Sequence, residues 1–288
     1  MSRLGLRLRN RIRIKSVSKR NKRPKPRRRK NRGKGGNNPS KIGTNSITRY
    51  GKNYTSVIRN HNTSKYLEQI KAEQYFDCVA KEYDKFYSNA LSITENKHVK
   101  ELIDIHLGGL KSEKILDLGC GTGLLNTILP ECRNIVGVDI SKKMLRQARY
   151  KHPHGKFKQR DIVSTGLQDN SVEVVISLFG SLAYSNFDEV MLEVDRVLVD
   201  GGCAFLMHYN RFSLRNFFRC FSKKRKYQIR YCDMKGLRDI CPDARMYSTR
   251  EIKKTMSKYL TAVDVIPLYD YKMKMFPHNL IGMGVKQR

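Results

Sequence analysis

The segment from Ile115 to Gly123, with the sequence ILDLGCGTG, constrains the fold of this chain more than any other. An apolar strand ends in an acidic residue, and a glycine-rich loop then opens a helix. Glycines 119, 121 and 123 let the backbone turn tightly and let a ligand approach without a Cβ in the way. A dinucleotide site would place glycine or alanine at the sixth position of the motif. Leu124 stands there, which argues against a nicotinamide or flavin site.

Short apolar runs alternate with helical stretches after Lys114. The runs are KILDLGC, NIVGVDI, KFKQRDI, VEVVISL and CAFLMHY, and the stretches between them include SKKMLRQARY and FDEVMLEVDRVLV. Strands with little polar alternation that alternate with helices are typical of a parallel sheet covered on both faces. The pattern therefore predicts a doubly wound, Rossmann-like α/β domain.

The charge is distributed very unevenly along the 288 residues, whose formal net charge is +32. The first acidic residue is Glu68, and residues 1–67 carry 22 Lys and Arg. A segment with that charge cannot neutralise itself or bury a core, so we predict a disordered basic arm and linker over 1–63. The other predicted parts are lead-in helices over 64–112, the core over 113–210, a basic aromatic cap or insertion over 211–247, and a final helix with two strands over 248–288.

Carboxylates stand at the ends of the first three predicted strands, with 22 residues from Asp117 to Asp139 and 22 more to Asp161. The carboxyl ends of neighbouring parallel strands meet at one crevice, so these acids and the glycine loop are expected to converge there. An acid at the end of the second strand suits hydrogen bonds to ribose hydroxyls. The expected ligand is a nucleoside without a phosphate, although each acid alone would equally suit a helix cap or a surface turn.

These residues resemble the class I S-adenosylmethionine-dependent methyltransferases, most closely the type 11 group that includes ubiquinone and menaquinone biosynthesis enzymes. The resemblance covers about residues 75–210, in the motifs YFDCVAKEYD, ILDLGCGTG, GVDISKKML, RDI, LQDNSVEVVIS and RVLVDGG. It implies a seven-stranded, mostly parallel sheet with an antiparallel last strand and helices on both faces. It also implies S-adenosyl-L-methionine as the cofactor, which leaves as S-adenosylhomocysteine.

The resemblance also implies roles for individual residues. Asp117 and the glycine loop would hold the methionine portion of the cofactor, and Asp139 would bind the ribose hydroxyls. Asp161 would border the adenine, Ser177 would lie near the sulfonium, and Tyr83 would help close the lid. The implied cofactor-binding set is Asp117, Gly119, Cys120, Gly121, Gly123, Asp139, Ile140, Asp161, Ile162, Ser177 and Tyr83.

Methyl transfer from a sulfonium is a direct displacement, so a general base is optional and depends on the pKa of the acceptor. The candidate bases are His208 and Tyr209 at the end of the fifth strand, and Tyr184 in the loop after the fourth. The competing interpretations are a hydrogen-bonded histidine with no catalytic task and tyrosines that only pack. No metal site is expected, because the cysteines form no CxxC pair.

The acceptor stays open at this point. After the fourth strand, SLFGSLAY contains no NPPY or DPPY for amino groups, and no PC dipeptide offers a nucleophile for pyrimidines. The basic arm and residues 211–238, where ten Lys and Arg stand among phenylalanines and tyrosines, favour RNA, a ribonucleoprotein or another polyanion. A small metabolite is the alternative that the type 11 resemblance implies. A third hypothesis is a nucleic-acid-binding protein that retains the fold without turnover.

The arm has two further interpretations, a nuclear or mitochondrial targeting segment and a solvated tail. No apolar run is long enough to span a bilayer, and the first residues contain no apolar core of a secretory signal. The seven scattered cysteines indicate reduced thiols. We therefore expect an intracellular protein, cytoplasmic first, with the nucleus or mitochondrion as alternatives.

Overall fold

The structure is a computed structural model that describes residues 63–213, 226–228, 241–268 and 277–287. Residues 1–62 of the predicted arm lie outside these ranges. So does most of the basic aromatic segment over 211–238, apart from residues 211–213 and 226–228.

Three helices precede the sheet: α1 (Thr63–Val79), α2 (Tyr83–Phe86) and α3 (Ala90–Leu107). The side chain of Asn89 caps α3 by accepting a hydrogen bond from the N–H of Ser92, and Gly108 ends the helix in a left-handed conformation. Helices therefore occupy the part of the chain in which lead-in helices were predicted.

Seven strands form one sheet. They are β1 (Ile115–Leu118), β2 (Ile135–Asp139), β3 (Lys156–Gln159), β4 (Val172–Ser177), β5 (Leu198–Tyr209), β8 (Leu260–Leu268) and β9 (Asn279–Lys286). Their order across the sheet is β3-β2-β1-β4-β5-β9-β8. Strands β1 to β5 run parallel to one another, and β9 is antiparallel to both β5 and β8. The predicted doubly wound, mostly parallel sheet of seven strands, with its last strand antiparallel, is confirmed. A separate two-stranded ribbon pairs β6 (Lys226–Gln228) with β7 (Asp243–Arg245).

Helices cover both faces of the sheet. The remaining helices are α4 (Leu124–Ile128), α5 (Lys142–Lys151), α6 (Phe187–Val197) and α7 (Thr249–Met256). One core cluster joins α3 and α4 to alternate side chains of the sheet such as Ile115 and Phe205. The other joins α6 and α7 to the opposite set, such as Leu116 and Leu206. Burying each such side chain contributes about 1.5–3 kcal/mol, which fixes the sheet between its two helical layers.

The cysteines follow the sequence-based prediction in part. Cys78, Cys120, Cys132 and Cys203 are free thiols. Cys241 is disulfide-bonded, which corrects the prediction that all seven are reduced. Spacing along the chain gave no indication of this bond, because a disulfide depends on distances in the folded protein.

Among the described residues, no helix is long and apolar enough to cross a membrane.

Candidate cofactor and acceptor site

A cleft that is partly open to solvent lies at the carboxyl ends of the parallel strands. This is where ligands bind in open α/β sheets. Of the residues predicted from the sequence, eleven line the cleft: Tyr83, Asp117, Gly119, Cys120, Gly121, Asp139, Ile140, Asp161, Ile162, Tyr184 and Tyr209.

The glycine loop between β1 and α4 forms the floor of the cleft. It is tied to the end of β2, because the N–H groups of Gly119 and Cys120 both donate to the carbonyl of Val138, at 2.8 and 3.0 Å. Gly121 has a φ of +53°, and a Cβ added there would meet nothing within 4 Å. The loop therefore presents an open cradle at this position, into which a ligand can approach the backbone closely.

Gly119 meets a different requirement. Its φ is +69°, and a Cβ added there would lie 2.1 Å from the Cβ of Ser181, in the loop after β4. This glycine therefore lets two loops of the site pack against each other. The loop after β4 is also attached to the end of β1, since the hydroxyls of Ser177 and Ser181 each donate to the carbonyl of Leu118 at 2.9 Å.

Asp139 stands at the end of β2 and organises the loops on either side of it. Its Oδ2 accepts a hydrogen bond of 2.9 Å from the N–H of Gly121, and its Oδ1 accepts one of 2.8 Å from the N–H of Ser141. Burial raises the pKa of this carboxyl to about 6, although the hydrogen bonds from Ser141 and Gly121 oppose that rise. The carboxylate is thus ionised at neutral pH and keeps lone pairs for hydroxyl donors in the cleft.

Asp117, at the end of β1, differs from Asp139 in its protonation. Its side chain is buried, and burial together with the charge of Asp139 raises its pKa to about 8. A carboxyl of this kind is largely protonated at neutral pH until a cation comes within reach. It is therefore suited to receive a positively charged group of a ligand.

Two residues of helix α1 make long-range hydrogen bonds that close one side of the cleft. The side-chain amide of Gln69 donates to Asp161 at 2.9 Å. The carboxylate of Asp77 accepts hydrogen bonds from the hydroxyl of Ser141 at 2.6 Å and from the N–H of Lys143 at 3.0 Å. Asp77 and Ser141 thereby cap the first turn of α5 together.

Helix α2 is fixed over the glycine loop in the same way. The carboxylate of Asp84 accepts a hydrogen bond of 2.6 Å from the hydroxyl of Thr122 and forms an ion pair of 2.8 Å with Lys151. These contacts place Tyr83, the neighbour of Asp84, along the cleft.

Aromatic rings form another part of the cleft lining. We call this the aromatic wall and define it by Phe76, Tyr83, Tyr87, Tyr184 and Tyr209. The ring of Phe76 lies 6.3 Å from that of Tyr83 and 5.4 Å from that of Tyr184, in both cases edge to face. The rings of Tyr83 and Tyr87 are 5.0 Å apart. Burial, with the other tyrosines close by, raises the pKa of the Tyr83 hydroxyl well above its ordinary value, so this hydroxyl is uncharged at neutral pH.

The loop after β4 has an unusual backbone. Phe179 has a φ of +44°, which is uncommon for a bulky residue, and its N–H faces the Sδ of Met207 at 3.4 Å. Next to it, Gly180 has a φ of +91°, and a Cβ there would lie 2.3 Å from the hydroxyl of Tyr209. Backbone strain of this kind clusters at ligand sites, where the surrounding structure maintains it.

Three predicted residues lie outside the cleft lining. Gly123 is the N-terminal cap of α4, and Ser177 is buried beneath the loop after β4. His208 is a correction to the sequence-based expectation. Its ring is buried on the other face of the sheet, with centroids 4.5 Å from Phe187 and 5.1 Å from Tyr247. Successive side chains of a strand point to opposite faces, so only its neighbour Tyr209 reaches the cleft.

Several lining residues escaped the sequence analysis. Among them are Gln69, Phe76, Tyr87, Phe179, Gly180 and Ser181. A signal existed for Gly180, because a glycine three residues after the buried end of a strand indicates a special backbone conformation. For Gln69 and Phe76 no local signal existed, because their proximity to the acids depends on how α1 docks.

Parts of the chain are similar to known proteins. The family model described as a methyltransferase domain matches residues 116–206. A demethylmenaquinone methyltransferase of Chlorobaculum tepidum is 32% identical over 155 residues, which cover 50% of this chain and 64% of that protein. An uncharacterized protein of Methanocaldococcus jannaschii is 34% identical over 141 residues, 47% of this chain and 50% of that protein. The chain thus spans between half and two thirds of the length of these relatives.

Solved structures share the fold. A putative S-adenosylmethionine-dependent methyltransferase from Listeria monocytogenes aligns with a TM-score of 0.53 at 17% identity, covering 68% of this chain and 100% of that one.

Proposed function

We propose that this chain, which carries a class I S-adenosylmethionine-dependent methyltransferase domain of the type 11 group, methylates a small, planar, uncharged acceptor. The observation that carries the proposal is the composition of the cleft. Its described lining includes three carboxylates and five rings of the aromatic wall, and no lysine or arginine.

The acids and the glycine loop form the cofactor half of the cleft in this proposal. Asp139 accepts hydrogen bonds from the ribose hydroxyls, Asp117 receives the ammonium group of the methionine portion, and Asp161 with Ile162 borders the adenine. Gly121 leaves room for the ligand against the backbone. When bound, S-adenosylmethionine supplies an electrophilic methyl group.

The aromatic wall forms the acceptor half. Tyrosine and phenylalanine rings stack on planar groups and exclude water from the cleft. An acceptor that carried a phosphate or carboxylate into this half would find no lysine or arginine among the described lining residues. The identity of 32% with a demethylmenaquinone methyltransferase also supports a small-molecule acceptor.

The protein's contribution to the reaction is positioning rather than proton transfer. Tyr83 and its neighbours hold the acceptor in line, and helices α1 and α2 close over it through the Gln69–Asp161 and Asp84–Thr122 contacts. Tyr184 and Tyr209 lie along the same wall, and their hydroxyls orient a polar edge of the acceptor.

The experiment follows labelled methyl from S-adenosylmethionine into a cell extract treated with the full-length protein. The extract is then separated into small-molecule, RNA and protein fractions. We expect label in the small-molecule fraction, its loss with Gly121→Ala, and its retention with the matched Gly109→Ala. Gly109 also has a positive φ and open space, but it does not line the cleft.

A second candidate acceptor is RNA or a ribonucleoprotein, which the excess of positive charge favours. A nucleobase is also planar and uncharged, so it suits the aromatic wall while its phosphates stay outside. Label that appears in RNA and disappears after ribonuclease treatment would replace the small-molecule proposal with this one. Label in no fraction, with S-adenosylhomocysteine still bound, would favour a protein that retains the fold without turnover.

A further inference from the structure

Asp77 lies in helix α1, within the motif YFDCVAKEYD, and it does not line the cleft. Its carboxylate instead reaches the turn that follows β2. There one oxygen accepts hydrogen bonds from the hydroxyl of Ser141 at 2.6 Å and from the N–H of Lys143 at 3.0 Å. Asp139 is the last residue of β2, two positions before Ser141. Helix α1 is therefore tied to the turn that carries the acid assigned to the ribose.

Ser141 donates to two carboxylates at once. Its N–H donates to Oδ1 of Asp139 at 2.8 Å, and its hydroxyl donates to Oδ1 of Asp77 at 2.6 Å. The hydroxyl oxygen also accepts from the N–H of Met144 at 3.1 Å, which fixes the direction of the hydroxyl. The residue is fully buried, so solvent does not compete for either donor. Two hydrogen bonds in series thus connect helix α1 to Asp139 through one buried residue.

The two carboxylates are close enough to repel each other. Burial raises the pKa of Asp139 most, and hydrogen bonds from backbone N–H groups oppose that rise. The charge of Asp77 raises the same pKa further, so the second acid disfavours the ionised form of Asp139. A helix cap alone does not need this arrangement, because Ser141 already caps α5 by accepting from Met144. The position of Asp77 therefore indicates a task beyond the helix cap.

A purely structural role is the competing interpretation. In that interpretation, Asp77 only anchors α1 to the start of α5, and its loss would loosen one side of the cleft. Such loosening would weaken the binding of every ligand equally, whether or not the ligand reaches Asp139. A positioning role makes a narrower prediction, because only the contacts that a ligand makes with Asp139 depend on it.

We propose that Asp77 is a positioning residue for the cofactor, which orients the carboxylate of Asp139 towards the ribose hydroxyls through the buried Ser141. The proposal rests on the assignment of Asp139 to the ribose in the proposed function, and it does not depend on the acceptor. Helix α1 also lines the cleft with Phe76 and Val79. Docking of this helix and binding of the ribose therefore support each other.

The test measures the affinity of the full-length protein for two ligands by titration calorimetry. One ligand is S-adenosylhomocysteine, and the other is its 2′,3′-dideoxy analogue, which lacks both ribose hydroxyls. Asp77→Ala removes the acceptor of the Ser141 hydroxyl, whereas Asp77→Asn keeps a carbonyl oxygen in its place. Ser141→Ala removes the same hydrogen bond from the other side.

Glu251→Ala is the matched control. Glu251 also accepts from a serine hydroxyl at the start of a helix, that of Ser248 at 2.8 Å, but it does not line the cleft. Its loss should leave the affinities for both ligands unchanged. Circular dichroism checks that each variant is folded, and Ser141→Ala carries the same test should Asp77→Ala not fold.

We expect Asp77→Ala to weaken the binding of S-adenosylhomocysteine by roughly 3- to 10-fold, because a buried donor loses its acceptor. The dideoxy analogue should bind this variant and the unmodified protein with the same affinity, within about twofold. Asp77→Asn should restore most of the affinity for S-adenosylhomocysteine. Ser141→Ala should reproduce the selective loss, and the double variant should bind no more weakly than Asp77→Ala, because both substitutions break one connection.

Equal losses for the two ligands in Asp77→Ala would overturn the proposal, because a structural role predicts them. Unchanged binding of S-adenosylhomocysteine in both Asp77→Ala and Ser141→Ala would also overturn it. Asp139→Asn tests separately the assignment on which the proposal rests. A loss confined to S-adenosylhomocysteine in Asp139→Asn would support the ribose assignment whatever Asp77 does. Equal losses for the two ligands in that variant would refute the ribose assignment and the proposal together.

Discussion

The carboxylate of Asp139 and the backbone N–H of Gly121 are joined by a hydrogen bond of 2.9 Å that links the end of β2 to the glycine loop after β1. The two residues are 18 positions apart in the chain. One carboxylate therefore holds the shape of the loop and faces the ligand at the same time.

We expect Asp139→Asn to weaken the binding of S-adenosylhomocysteine by roughly 10- to 100-fold, because a charge-assisted hydrogen bond contributes about 1.5–3 kcal/mol. The asparagine amide offers one acceptor oxygen, whereas Gly121 and Ser141 both donate to Asp139. Titration calorimetry measures the loss. Asp188→Asn, which removes a carboxylate paired with Lys258 outside the cleft, is the matched control and should leave the affinity unchanged. An Asp139→Asn protein that binds as tightly as the unmodified one would refute this role.

We expect Gly121→Ala to lower both the stability of the protein and its affinity for the cofactor, whereas Gly109→Ala should lower the stability alone. Both Gly121 and Gly109 have a positive φ and open space at the Cβ position, so alanine at either should cost about 1–2 kcal/mol of unfolding free energy. Only the methyl group at 121 projects into the cleft lining, and only that variant should lose affinity for S-adenosylhomocysteine. Denaturant unfolding and calorimetry on both variants give the two quantities. Similar affinities in the two variants would show that the loop backbone is not approached by the ligand.

The affinity for S-adenosylhomocysteine should increase with pH up to about pH 8. Burial raises the pKa of Asp117 to about 8, and a bound ammonium group favours the ionised carboxylate. The complex therefore holds fewer protons than the free protein, and binding strengthens as the pH rises towards the pKa of the free protein. Calorimetry in buffers of different ionisation enthalpy measures the proton release. Asp117→Asn should abolish both the release and the pH dependence, and a release that persists in this variant would assign it to another group.

His208→Phe should stabilise the protein and leave methyl transfer intact. Both ring nitrogens of His208 are buried without a hydrogen-bond partner in the described part of the chain, and removing such atoms gains about 1–3 kcal/mol. Burial lowers the pKa of His208 to about 3, so the folded state binds fewer protons than the unfolded state below the ordinary pKa of 6.5. The unmodified protein thus loses stability as the pH falls through that range, and the variant should lose less.

Denaturant unfolding at neutral and mildly acidic pH measures both effects of His208→Phe. The exposed His154→Gln is the control, and it should change neither the stability nor its pH dependence. Loss of methyl transfer in the folded His208→Phe protein would return this histidine to the list of candidate bases.

The sequence by itself determined the order of strands and helices, the glycine loop and the three acids at strand ends. Each of these features is local in the sequence. Hydrophobic periodicity determines the helices and strands, and the carboxyl ends of parallel strands always meet at the same edge of a sheet. Tertiary structure alone decided which residues close the site. Gln69 reaches Asp161 across 92 positions and Asp77 reaches Ser141 across 64, and no local pattern encodes such distances.

The same limit explains the position of His208. The fifth strand is apolar on both sides, so its sequence does not say which of His208 and Tyr209 faces the cleft. The register of β5 against β4 and β9 determines that Tyr209, and not His208, faces the cleft.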